Sequence, residues 1–137
     1  MLYVKWDVPT GATGTTLTVS YTNQAGTAGR STSVAFPASP VLGQMLYVPL
    51  AAGDTGIRSV QSGTLAVSTG TVGDFGFLLI EPLNTISVPA ANIGNPAQSA
   101  YDTGFAKIDN NACLFYYMLC TTTNTGNVIG DISLALG

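Results

Sequence analysis

The sequence predicts an all-β protein: an antiparallel β-sandwich, jelly-roll-like or barrel in form, with about eight strands and long loops. Three observations predict it. Apolar residues recur with period two over most of the chain, helical periods are nearly absent, and Gly, Pro, Asn, Asp and Thr clusters separate the alternating runs. At 137 residues the chain is expected to form one domain over 1–137, long enough to bury a core.

The first strand runs from Leu2, with Leu2, Val4, Trp6 and Val8 on the inner side and Tyr3, Lys5 and Asp7 on the outer, and it ends at Pro9. Leu17, Val19 and Tyr21 then alternate with Thr16, Thr18, Ser20 and Thr22. After a loop over Asn23 to Gly29 the pattern resumes with Thr32, Val34 and Phe36 against Ser31, Ser33 and Ala35, predicting a hairpin closed by Pro37 and Pro40. Gln44 to Leu50 is a further strand, its end forced to an edge by Pro49.

Gly53 to Pro82 predicts a long hairpin, with an outgoing arm from Ile57 to Ser68, a turn over Thr69 to Asp74, and a return arm Phe75 to Ile80. That return arm is apolar on both faces and is expected between two layers. Leu65 and Val67 share a parity that Val60 does not, so a bulge is predicted near Ser62-Gly63. Thr85 to Val88 is a weak strand, and Pro89 to Asn111 is mostly loop with one short turn around Ala97 to Tyr101. Ala112 to Cys120, apolar on both faces, and Val128 to Leu136, apolar on one, complete a second long hairpin over a turn at Thr121 to Gly126. The two-sided arms are expected at the centre of the fold, one in each sheet.

Met1-Leu2-Tyr3-Val4 recurs as Met45-Leu46-Tyr47-Val48, Thr16-Leu17-Thr18-Val19-Ser20 resembles Thr64-Leu65-Ala66-Val67-Ser68, and Phe36-Pro37 has a looser counterpart in Glu81-Pro82. A shared lag is the mark of duplication. It would make the first three strands equivalent to the Gly53–Pro82 stretch and its lead-in.

Composition narrows the function. Only 8% of residues are charged, against roughly 25% in an average soluble domain, while 46% are hydrophobic. Thr, Ser, Gly, Ala and Asn must supply most of the surface, and a surface so poor in charge is expected to be covered by partners. The net charge is −3, and the basic residues Lys5, Arg30, Arg58 and Lys107 stand singly, so no nucleic-acid partner is expected. No membrane partner is expected either, because the longest apolar run is short of a span and the start lacks a basic-then-apolar signal.

Catalysis is not expected. Histidine is absent, which removes the commonest general base, and no serine sits in a Gly-x-Ser-x-Gly elbow. Asp74 and Glu81 flank an extended arm and stand too far apart for a glycosidase pair, and Asp102 and Asp109 are loop carboxylates beside Lys107. No cofactor and no metal site is predicted. Calcium at Asp109-Asn110-Asn111 or Asp54-Thr55 is the milder alternative, although neither loop has the spaced acidic pattern. Asp54 and Arg58 are expected to pair across the start of the strand. Cys113 and Cys120, seven positions apart, would lie roughly 23 Å apart along a strand, beyond the about 7 Å a disulfide allows, and are expected as buried thiols.

Among the aromatic residues, Tyr116 and Tyr117 are expected to be buried, and Tyr3 and Tyr101 to face outward. Tyr3, Asn92, Asn95, Tyr101 and Phe105 are the candidate interface residues, and the loop over Pro89 to Asn111 is expected to bridge subunits.

Gly53 to Asp74, with Gly-Asp-Thr-Gly-Ile-Arg-Ser-Val-Gln-Ser followed by Thr-Leu-Ala-Val-Ser-Thr-Gly-Thr, resembles small structural proteins of tailed bacteriophages. The resemblance implies a virion component, made in the host cytoplasm and placed on the capsid surface. Within that class it implies a capsid decoration (cement) protein, a homo-oligomer, commonly a homotrimer, that binds the major capsid protein and bridges neighbouring capsomers. The alternative expectation is a receptor- or carbohydrate-binding domain of a phage tail fibre or adhesin, using tyrosine rings as a sugar platform.

Overall fold

The computed structural model describes residues 1–85, 87, 108 and 111–116. The chain divides into two compact units, Met1–Pro82 and Leu83–Gly137. The first unit carries six strands: β1 (Leu2–Val8), β2 (Thr15–Asn23), β3 (Arg30–Phe36), β4 (Met45–Val48), β5 (Ile57–Leu65) and β6 (Asp74–Leu79). They form two antiparallel three-stranded sheets, ordered β4-β1-β6 and β3-β2-β5.

Alternation places the side chains as expected along most of this length. Leu2, Val4 and Trp6 from one sheet and Leu17, Val19 and Phe36 from the other are all buried in one hydrophobic core, joined by Val48. The Trp6 and Phe36 rings meet with centroids 4.9 Å apart, and Phe75 follows 5.1 Å from Phe36, so the sheets face each other through aromatic contacts. Tilted ring pairs of this kind add about 0.5–1.5 kcal/mol each beyond the area they bury. Val8 departs from the pattern and is 50% exposed. The register against β6 slips between Trp6 and Val8, so a bulge at Asp7 reverses the parity before the strand ends.

The hairpin of β2 and β3 forms in continuous register from Thr15↔Phe36 to Tyr21↔Arg30. β4 is shorter than the stretch from Gln44 to Leu50 because Pro49 ends its ladder. On the other side of β2, Ser20 pairs with Ser62 and Tyr21 with Val60, which leaves Gln61 as the bulged residue. The predicted bulge is therefore present, one position before Ser62, and it brings both Val60 and Leu65 against the core.

The hairpin expected over Gly53 to Pro82 does not form. β5 pairs with β2 and β6 pairs with β1, so residues 66–73 carry the chain from one sheet to the other. The two arms meet face to face instead of edge to edge. A Cβ built on Gly63 would stand 2.6 Å from Cζ of Phe77, so the missing side chain on β5 is the space that the β6 ring fills. Apolar pattern reports that a strand is covered; it does not choose the strand's ladder partner.

The central strands are β1 and β2, not the two-sided apolar arms. Among the described residues β6 pairs with β1 alone, and its residues Phe75 to Leu78 are half-buried. Of the second predicted hairpin, Ala112 to Tyr116 are described and lie outside any strand. Cys113 is exposed, as are Leu114, Phe115 and Tyr116, which corrects the expectation of a buried thiol and a buried Tyr116. An apolar run needs cover, and the sequence does not say that the cover is intramolecular. Thr85 and Ser87 are likewise outside any strand, while Tyr117, Cys120 and the segment 128–136 lie outside the described residues.

Several of the echoed residues are ladder neighbours. Tyr3 faces Tyr47 and Val4 faces Leu46 across the β1–β4 ladder, and Leu17 faces Leu65 across β2–β5. The third members break the relation, since β3 pairs with β2 whereas β6 pairs with β1 and not with β5.

Candidate functional site

The principal polar centre of the first unit gathers at one end of the β3-β2-β5 sheet. Tyr21 and Asn23 occupy inward positions at the end of β2, and Arg30 stands opposite Tyr21 at the start of β3. Inward polar groups need partners. The loop between β4 and β5 supplies one: a turn closed by Asp54 N–H donating to Ala51 C=O, 3.0 Å, lowers the Asp54 carboxylate over the hairpin end.

The Asp54 side chain is 4% exposed and is used at both oxygens. Oδ2 accepts from the Tyr21 hydroxyl at 2.6 Å and from Arg30 Nε at 2.8 Å, and Oδ1 accepts from Asn23 Nδ2 at 2.8 Å. The surrounding backbone is drawn in as well. Ala51 N–H donates to the Tyr21 oxygen at 2.8 Å, Arg30 Nη2 donates to Ala52 C=O at 3.1 Å, and Asn23 Oδ1 accepts from Ala25 and Thr27 N–H.

These donors hold the Asp54 carboxyl at a pKa of about 2, with the Tyr21 hydrogen bond the largest cause, then Arg30, then Asn23. Burial, and after it the hydrogen bond to Asp54, pushes the Tyr21 hydroxyl above its usual value. The Arg30 guanidinium is raised by the same hydrogen bond to Asp54. A carboxylate held by three donors in this way is a weak base, and each of its oxygens is already engaged. Its chemistry is that of a latch tying the β4–β5 loop to the β2–β3 hairpin.

The expected Asp54–Arg58 pair is replaced by Asp54–Arg30, because cross-strand register puts Arg30 beside Tyr21. Arg58 instead donates from Nε to Gln24 C=O at 3.0 Å, and Gln24 Oε1 accepts from Thr55 and Gly56 N–H. The signal was available in the sequence. Tyr21 falls on the apolar parity of β2 and Asn23 continues it, and two hydrogen-bonding side chains on a core face call for a charged partner nearby.

Tyr3 does not face outward: it is 5% exposed, with its ring 5.5 Å from that of Tyr47. Asn92, Asn95, Tyr101 and Phe105 lie outside the described residues. Asp102, Lys107 and Asp109 also lie outside them. Asp74 and Glu81 are both exposed. Among the described residues no three His, Cys, Asp or Glu side chains cluster as a metal site would require.

Two open depressions mark the surface of this unit. One, of about 440 Å³, lies over residues 65–73 with Thr10 and Phe75. The other, of about 580 Å³, is lined by Met1, residues 55–57 and residues 79–82. Neither contains a convergent set of titratable groups. The hydroxyl of Thr10 and the indole N–H of Trp6 are buried without a hydrogen-bond partner among the described residues.

No known protein family, curated protein or solved structure matches the chain.

Proposed function

We propose that this chain is a non-enzymatic virion structural protein, a capsid decoration (cement) protein that binds the outer shell and stabilises it by bridging capsomers. The observation that carries the reading is the outer face of the β3-β2-β5 sheet. Thr16, Thr18, Ser31, Ser33, Ser62 and Thr64 point away from the core and are all exposed, and no ionised side chain stands among them. Thr18 and Ser33 hydroxyls already satisfy each other at 3.0 Å. Such a face can be covered by another protein without stranding a charge, which is the chief cost of burying a surface.

A two-sheet sandwich of jelly-roll type suits this role, since its strand edges and loops offer contacts to neighbours on several sides. Assembly as a homotrimer on the major capsid protein would stabilise the shell by mass action on the assembled state. The test is to add the purified protein to particles lacking it. Saturable binding with a raised temperature of particle disruption is the expected result, and failure to bind intact shells at micromolar concentration would rule the reading out.

The alternative, a carbohydrate- or receptor-binding domain of a tail fibre, draws on the uncharged depression where Ser68, Thr71 and Thr10 adjoin Val67, Val72 and Phe75. Glycan binding by the isolated protein that is lost on Val72→Asp would favour it over the capsid reading.

A further inference from the structure

We draw no further inference here: the strongest candidate, the uncharged depression over residues 65–73 with the buried and unpartnered Thr10 hydroxyl beside it, carries nothing, because that hydroxyl is closed off from the depression's surface and nothing in the structure shows what covers the apolar loops around it.

Discussion

Asp54 is the residue through which the loop between β4 and β5 is held, and its carboxyl is at about 2 instead of its ordinary 3.8. A depressed carboxyl contributes stability that is fully present above about pH 4 and is lost as pH falls through about 2. Asp54→Asn is therefore expected to lower the melting temperature at pH 7 and to flatten its dependence on pH between those limits; equal slopes for the two proteins would refute the latch. Tyr21 sets the alkaline limb. Its raised hydroxyl contributes stability that fades as pH rises past its ordinary value of 10. Tyr21→Phe leaves Ala51 N–H without its acceptor and should cost about 1–3 kcal/mol by urea denaturation. Thr10 predicts the opposite sign. Its buried hydroxyl has no partner among the described residues, so Thr10→Val should be neutral or stabilising by up to about 1 kcal/mol in the same titration. Which residues point inward along β2 was legible from alternation alone. Which of them would meet across the loop was not, because Asp54 lies far from Tyr21, Asn23 and Arg30 in sequence and local patterns carry no information about such meetings.

At the scale of elements, the crossing from β5 to β6 distinguishes this fold from a meander of hairpins. Gly63 and Phe77 occupy one space from facing sheets, so Gly63→Ala should destabilise by about 1–3 kcal/mol through overpacking. The loss should be largely recovered in the double variant with Phe77→Leu, and strictly additive losses would contradict the face-to-face placement. Strand existence was legible throughout β1 to β6, and so was the bulge, since a parity conflict between Val60 and Leu65 has few other solutions. Partner choice was not. A run such as Phe75 to Leu79 records its burial in its composition, but the ladder it joins depends on loop geometry at residues 66–73, where glycines and threonines accept many paths. The segment Ala112 to Tyr116 marks a different limit: its apolar composition suggested a central strand, and it is exposed, so composition alone does not establish burial.

On the scale of the whole molecule, charge is concentrated and economical. The described unit keeps most of its ionised groups at one end and on β1, with Asp74 alone at the other end, and leaves one sheet face neutral. A protein that remained a free monomer would gain solubility from charge on that face, so its neutrality is consistent with the proposed contact with other proteins. That inference was available from composition; the position of the neutral face required the strand order. The most direct test is to count this protein in particles purified from its native source by quantitative mass spectrometry. The capsid reading predicts hundreds of copies per particle in fixed ratio to the major capsid protein, and a count of a few to tens, or none, would contradict it.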